Sequence, residues 1–350
     1  MSVAHCGDFR QTYKDDMKVL PTRFVQVWVA AFLVLLYVFP LLASNYLISM
    51  ATTIGIAVIG ALGINIVTGF TGQISLGQGA FLGVGAFACS YYMREFHMPF
   101  WIAMPAAGLT TAAVGMVFGL PSARLKGLYL AIATLAAQFI LEYLFMHMDF
   151  FTGGSNGISS PAPEFRGFTF ESDRSKYYLT ISVAVIAVLF AVNLLRSRDG
   201  RAFVAVRDHY LSAEIMGVHL FKYRLLSFSV SAFYAGIAGS LWGIYTGYIT
   251  AEHFTIHESI NYLAMIIIGG LGSVLGAIYG AIFMTLLPQL LTVGTGAMAN
   301  IFPKIGFLIM SFKDGIFGLI VILFLIFEPD GLAHRWRLIK AYWKLYPFSY

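Results

Sequence analysis

The feature that most constrains this chain is the length of its uncharged stretches. The longest, Asn45 to Met93, has 49 residues without Lys, Arg, Asp or Glu. One straight helix of that length would measure about 74 Å, more than twice the roughly 30 Å hydrocarbon core of a bilayer, so the segment must turn back. Across all 350 residues 59% are hydrophobic and 11% charged, whereas soluble domains have about a half and a quarter. The sequence predicts an integral membrane protein, and excludes an ordinary soluble enzyme, a disordered chain and a nucleic-acid-binding protein.

Ten apolar stretches predict membrane-crossing helices, which need roughly 20 residues each. They are 24–43, 46–67, 76–93, 100–120, 128–147, 178–195, 225–248, 260–268, 274–293 and 315–327. Two of these stretches are short. We therefore expect an all-α, polytopic membrane protein with about ten transmembrane segments and broken helices at glycine-rich turns. One transmembrane domain, 24–332, lies between tails at 1–23 and 333–350, and the long first apolar run after a mixed-charge tail is not a cleaved signal peptide.

The basic residues predict the orientation of these helices. Sixteen of the 22 Lys and Arg residues lie in the two tails and in the alternate loops 121–127 and 196–224, and six lie on the opposite side. The acidic residues divide evenly, so the bias is confined to the basic ones, as the positive-inside rule requires. Both termini and loop 196–224 are therefore predicted to be cytoplasmic, and loop 149–177 to be external.

Two glycine-rich segments, Thr68–Gly79 and Gly269–Ser273, interrupt the apolar pattern. The predicted topology puts both at the cytoplasmic face, yet neither carries a Lys or Arg. Irregular backbone near a membrane is tolerated where it is buried in protein or lines a wet cavity, so we expect both turns to dip into the protein. Broken helices present free N–H and C=O groups to a transported substrate; tight packing at these glycines is an equally open alternative.

Other glycines recur every four residues, which favours close contact between helices in a membrane, either within this chain or against a partner. These sets are Gly115/Gly119, Gly239/Gly243/Gly247 and Gly272/Gly276/Gly280.

The motifs of several catalytic classes are absent from the sequence. It has no G-x-x-x-x-G-K-[ST] loop for ATP and no HExxH, CxxC or GxSxG pattern, so we expect no cofactor, no metal site and no ATP bound by this chain itself. Glu142 is the one acid within a predicted span, which argues against an ion-driven carrier. Its carboxylate is predicted either to contact a substrate amine or, more plainly, to reach the outer interface or a neighbouring group.

Loop 196–224 contains a pattern typical of a docking helix. Val206, Tyr210 and Ala213 recur at helical spacing, and Gly217 is placed to cap the helix C-terminus. The polar residues among them are Arg207, Asp208 and Glu214. Acids mixed with bases disfavour a lipid-binding patch, so we interpret the loop as the docking site of a partner protein.

Several motifs in order resemble one family. Thr71–Phe81 (TGQISLGQGAF) is similar to the signature of permease subunits in branched-chain amino-acid ABC importers of the LivM type. Further matching segments are 127–131, 152–157, 200–217, 268–273 and the close at 318–332. The resemblance covers about residues 45 to 332.

The resemblance implies a multi-pass permease of the bacterial inner membrane that works by alternating access. Its implied partners are a homologous second permease, two cytoplasmic ATPases that bind the ATP, a periplasmic binding protein and membrane lipid. The implied ATPase-coupling residues are Arg207, Asp208, Ala213, Glu214 and Gly217. The candidate residues of the substrate path are Asn65, Gln73, Ser75, Gln78 and Glu142, with a role in packing or in the turn as the alternative. The candidate contact with the binding protein comprises Thr152, Gly153, Gly154, Ser155 and Asn156, with a structural turn as the alternative.

The motifs leave the cargo open. Related permeases move branched-chain amino acids, urea, or other small amides and acids, so a urea or amide permease is the alternative to an amino-acid permease. A passive channel and a membrane-embedded enzyme are the rival classes, and neither accounts for loop 196–224.

Overall fold

A computed structural model describes residues 23–122, 125, 127–165, 168–301, 313–328 and 330–345. Almost all of the predicted N-terminal tail and the last five residues of the C-terminal tail lie outside these ranges. In chain order the helices are α1 (Arg23–Leu42), α2 (Asn45–Ile64), α3 (Gln78–Glu95), α4 (Phe100–Ser122), α5 (Leu128–His147), α6 (Asp149–Thr152), α7 (Asp173–Arg196), α8 (Arg198–Asp208), α9 (Tyr210–Ile215), α10 (Leu220–Thr246), α11 (Ile256–Gly269), α12 (Val274–Ile301), α13 (Lys313–Phe327) and α14 (Leu332–Leu345).

A few short elements complete the described structure. Helix α2 continues as a π-helical segment, Asn65–Phe70, and single 3₁₀ turns occupy Gly154–Asn156 and Ala251–Phe254. Four two-residue strands form two antiparallel pairs, β1 (Ile158–Ser159) with β4 (Tyr248–Ile249) and β2 (Glu164–Phe165) with β3 (Phe168–Thr169). The β1–β4 pair ties the loop after α5 to the end of α10.

The prediction of an all-α membrane protein is confirmed. A helix forms the body of each of the ten predicted stretches. Among the residues that the structure describes, six helices are long and apolar enough to cross a membrane. A seventh span results if α13 and α14, which bend by 46° at their junction, are counted together. The six are Asn45–Phe70, Phe100–Pro121, Leu128–His147, Asp173–Arg196, Leu220–Thr246 and Val274–Val293.

Helix α3 forms the centre of the bundle. Its residues from Gln78 to Ser90 are buried without interruption, and glycines let α10 approach its backbone. A Cβ added to Gly85 would lie 2.3 Å from the Cα of Gly236, and one added to Gly239 would lie 1.9 Å from the carbonyl oxygen of Leu82. The contact predicted for Gly239 is therefore confirmed.

Of the remaining glycines predicted to make helix contacts, some do so within the chain and one does not. A Cβ on Gly115 would lie 2.4 Å from the Cβ of Ala232, and one on Gly280 would lie 1.8 Å from the carbonyl oxygen of Met265, so both are contacts. Gly247 has open space around it, so the described part of the chain makes no close contact there, and a contact with a partner stays a prediction. This glycine instead ends α10 with a positive φ of 73°, where an L-residue with a side chain is strained.

Loop 196–224 folds as two helices rather than one. His209, at φ −150° and ψ 84°, separates α8 from α9, so the prediction of one continuous amphipathic helix was wrong. The predicted cap is confirmed: Gly217 has φ 86°. Its N–H donates to the carbonyl of Glu214, and the N–H of Val218 donates to that of Ala213, the paired bonds of a Schellman motif.

Candidate functional site

The two glycine-rich turns, about 200 residues apart in sequence, meet in the structure. Asn65 joins them: its amide Nδ2 donates to the carbonyl of Ser273 at 2.9 Å, and its Oδ1 accepts from the N–H of Gly272 at 3.0 Å. Gly69 permits this approach, since a Cβ there would lie 1.9 Å from Asn65 Oδ1 and 2.6 Å from the nitrogen of Gly272. Asn65 is fully buried. This residue, which the sequence predicts for the substrate path, joins the two helix breaks by hydrogen bonds.

Arg207 of α8 reaches the same junction from the loop. Its guanidinium Nη1 donates to the carbonyl of Gly69 at 2.9 Å, while its Nε pairs with Asp208 at 2.9 Å. A Cβ on Gly72 would touch the Arg207 side chain at 3.0 Å, and one on Gly272 would lie 2.5 Å from Nη1. The loop predicted to dock a partner is therefore in direct contact with both interrupted helices.

The other polar residues of the first turn are buried and bonded within the chain. Gln73 donates from Nε2 to the hydroxyl of Ser227 at 2.8 Å, and its Oε1 is buried without a partner among the described residues. Gln78 donates to the carbonyl of Gly60 at 2.9 Å. The hydroxyl of buried Ser75 accepts weakly from a backbone N–H two residues later.

A buried polar network that sequence reasoning missed holds the N-terminus of α3. Gln138 accepts the Ala80 N–H at 2.8 Å and the Ser259 hydroxyl at 2.9 Å, and it donates to the carbonyl of Phe254 at 2.8 Å. Ser259 in turn accepts the Gly79 N–H at 2.8 Å. Two N–H groups that a helix start leaves free are thus satisfied by side chains.

The sequence contains a signal for this network. Thr134, Gln138 and Glu142 recur every four residues on α5, which puts three polar side chains on one face of an apolar helix. The hydroxyl of Thr134 accepts the N–H of Leu76 at 3.0 Å. Glu142 is half-buried, and its Oε2 is buried without a partner among the described residues.

The outer loop divides into a buried support and an exposed edge. Thr152 is fully buried and its hydroxyl donates to the carbonyl of Phe145 at 2.6 Å. Gly153 and Gly154 have φ values of 69° and 59° and form the turn. Ser155 and Asn156 are exposed, so these two are the predicted contact residues that a partner protein can reach.

The predicted coupling residues on and just after α9 also differ in their exposure. Ala213 is buried, whereas Glu214 and Gly217 are exposed, so the structure does not offer the Ala213 side chain to a partner. Three large apolar side chains that sequence reasoning did not single out are exposed beside them: Leu211 at 59%, Ile215 at 86% and Met216 at 84%. Within the described part of the chain, no group of three or more His, Cys, Asp or Glu residues could hold a metal ion.

Comparison with known proteins adds a family to this geometry. The family model for the permease component of branched-chain amino acid transport systems matches residues 46–325. The high-affinity branched-chain amino acid transport system permease protein LivM of Escherichia coli K12 is 34% identical over 290 residues, which is 76% of this chain and 68% of that protein.

More distant relatives were also found. A probable branched-chain amino acid transport permease protein LivM of Methanocaldococcus jannaschii is 28% identical over 240 residues, 66% of this chain and 67% of that protein. The autoinducer 2 import system permease protein LsrC of Salmonella paratyphi B is 28% identical over 195 residues, 54% and 56% of the two chains. No solved structure matches the chain.

Proposed function

The chain belongs to the family of permease components of branched-chain amino acid transport systems, and from that premise we propose that it carries branched-chain amino acids into the cell by alternating access. As an ABC permease component it is not a catalytic subunit; ATP is hydrolysed by separate ATPase subunits in this proposal. It is a multi-pass membrane protein, and we place it in the bacterial inner membrane.

The contact of Arg207 with the two glycine-rich turns carries the mechanistic part of the proposal. An ATPase that shifts α8 and α9 pulls on the carbonyl of Gly69, to which Arg207 donates at 2.9 Å. Because Asn65 binds the second turn at Gly272 and Ser273, the same displacement reaches α11 and α12. Rigid contacts of this kind convert a small shift at an interface into a rearrangement of packed helices.

The proposed topology has ten crossings and cytoplasmic termini. Four of the ten proposed crossings fall short of the usual length or hydropathy of a span: α1, α3, α11 and, taken without α14, α13. Helix α3 needs little hydropathy because its residues from Gln78 to Ser90 face protein rather than lipid. Its 18 residues extend about 27 Å, close to the hydrocarbon thickness.

The proposed assembly gives two of the exposed surfaces a partner. The apolar side chains of Leu211, Ile215 and Met216, with Glu214 beside them, form the contact with an ATPase. The exposed Ser155 and Asn156 form the contact with a periplasmic binding protein. A homologous second permease and a second ATPase complete the transporter.

For the substrate path, two of the five residues remain the best candidates. Asn65, Ser75 and Gln78 form hydrogen bonds within the chain, whereas Gln73 and Glu142 each keep a buried oxygen without a partner among the described residues. A buried acceptor without a donor is unfavourable, and the ammonium group of an amino acid would satisfy it. Urea or another small amide or acid is the alternative cargo, since the LsrC relative is named for a different import system.

A reconstitution experiment tests this function. The assembled transporter in proteoliposomes should accumulate leucine, isoleucine or valine only with ATP inside the compartment that holds the ATPases; uptake without ATP would indicate a passive channel. Arg207→Ala should abolish uptake while the ATPases remain bound. Arg201→Ala is the matched control, because among the described residues that exposed guanidinium donates only locally, to the Arg196 carbonyl. Equal uptake by the two variants would contradict the coupling role.

A further inference from the structure

The C-terminal helix α14 has a composition unlike the rest of the chain. From Gly331 to Tyr350 the sequence has four Lys and Arg residues and no Asp or Glu. Aromatic residues are interspersed among them, Trp336, Tyr342 and Trp343 within the helix. Trp and Tyr concentrate at the boundary between hydrocarbon and headgroups, and clustered cations next to a membrane span attract anionic lipid.

The apolar side of α14 faces a groove against α12. The groove encloses about 440 Å³. Its lining residues are Tyr279, Ile282, Phe283, Leu286, Leu287 and Leu290 from α12, and Leu332, Arg335, Trp336 and Ile339 from α14. Trp336 and Ile339 remain about half exposed, at 51% and 49%, so this apolar surface is not covered by the described parts of the chain.

The basic side of α14 lies away from the groove centre. At 100° per residue, Arg337 and Lys340 project about 140° and 80° from Leu332, on the same side of the helix as each other. Both are exposed, and neither pairs with any residue that the structure describes. Arg335, by contrast, pairs with Glu328. The helix is therefore amphipathic, with an open apolar face and a cationic face that lacks counter-charges.

The first turn of α14 fixes its position relative to the candidate coupling site. A Cβ on Gly331 would lie 2.5 Å from the nitrogen of Gly270, and Ala333 is buried beside the same turn. Gly272, two residues on, contacts Arg207. Helix α14 thus starts at the end of the bundle that carries α8 and α9, the end that the proposed topology puts at the cytoplasmic leaflet.

We propose that α14 and the α12–α14 groove form a binding site for an anionic phospholipid. An acyl chain lies in the groove against Phe283, Leu287 and Trp336, and the phosphate lies near Arg337 and Lys340. Charge complementarity selects a lipid, because a cationic face without acids, bordered by aromatic residues and an apolar groove, matches the headgroup and chain of one amphiphile. Since α14 packs on Gly270, the occupied site also steadies the turn that Asn65 and Arg207 hold.

Tryptophan quenching by brominated lipid tests the site. The full chain is reconstituted in vesicles of phosphatidylcholine that contain a small fraction of brominated phosphatidylglycerol, or of brominated phosphatidylcholine for comparison. Brominated phosphatidylglycerol should quench more strongly, and the difference should become smaller in Trp336→Phe, which leaves Trp343 of the same helix in place. The double variant R337Q/K340Q should lower the preference for the anionic lipid by about fivefold for each charge removed, the factor that corresponds to about 1 kcal/mol per cation.

Two controls make each outcome decisive. Arg337→Lys keeps the charge and should keep the preference, and Arg174→Gln, which removes an exposed cation at the start of α7, should leave it unchanged. Equal quenching by both lipids in the native chain, or an undiminished preference in R337Q/K340Q, would overturn the proposal. Absence of a Trp336-dependent signal with either lipid would mean that a protein surface covers the groove, and would overturn it too.

Discussion

Gly272 lies where three separate parts of the chain meet, and its backbone has φ 72°. A methyl group there would lie 2.5 Å from the Arg207 guanidinium and 3.0 Å from the carbonyl of Gly69. Gly272→Ala should therefore lose about 1 to 2 kcal/mol to the left-handed backbone and more to the displaced arginine. Gly247→Ala is the matched control, since Gly247 has φ 73° and open space. In detergent, we expect the midpoint of thermal unfolding to be highest for the native chain, lower for Gly247→Ala and lowest for Gly272→Ala. Equal midpoints for the two variants would contradict a steric clash between the added methyl group and Arg207.

Gln138 is the residue on which the start of α3 depends. Gln138→Leu removes one donor and one acceptor and leaves the Ala80 N–H and the Phe254 carbonyl buried without these partners. Each such group costs about 1 to 3 kcal/mol, so the unfolding temperature should fall markedly. Gln289→Leu is the control, because that exposed side chain accepts one bond, from the Tyr46 hydroxyl. A comparable loss in both variants would show that the network is not what stabilises α3.

At the scale of elements, the π-helical segment Asn65–Phe70 and the turn Gly270–Ser273 act as one joint. Asn65 and Arg207 attach to it from different sides, so their effects should be coupled. A double-mutant cycle of Asn65→Ala and Arg207→Ala, measured on ATP-driven uptake or unfolding, should give an interaction energy of about 0.5 to 3 kcal/mol. Asn193→Ala, at an exposed asparagine whose side chain has no hydrogen bond among the described residues, should be nearly neutral. Strict additivity at the joint would contradict a shared element.

The elements differ in how far sequence predicts them. Missing charge located both glycine-rich turns, and glycine spacing marked a contact face of α10 without naming α3 as its partner, because burial in a membrane leaves those signals in composition. The meeting of the turns was not predictable in the same way, since Asn65 and Gly272 are about 200 residues apart and no local pattern encodes their contact. His209 was misjudged because helical spacing of Val206, Tyr210 and Ala213 persists across a break in the backbone.

At the scale of the whole molecule, the hydropathy of the helices gives fewer membrane spans than the ten that the sequence predicts. The difference has a physical cause. Hydropathy measures contact with lipid, whereas α3 is surrounded by other helices and can be rich in glycine and serine. A central helix therefore looks less like a span than a peripheral one does. The distribution of the basic residues does not depend on burial, and its bias favours the proposed ten-crossing topology, in which α3 spans the bilayer.

Cysteine accessibility decides between the counts. Ser44 and Glu95 are exposed and separated by α2 and α3, so Ser44→Cys and Glu95→Cys should both react with an impermeant maleimide from outside if α3 crosses. If α3 does not cross, they must react from opposite sides, because α2 is long and apolar enough to span.

Ser212→Cys, exposed on α9, should react only after the membrane is opened. Cys6→Ser is included throughout, and Cys89, which is buried, provides no background. Labelling of Ser212→Cys in intact cells would invert the orientation and leave the proposed ATPase contact on the wrong face of the membrane.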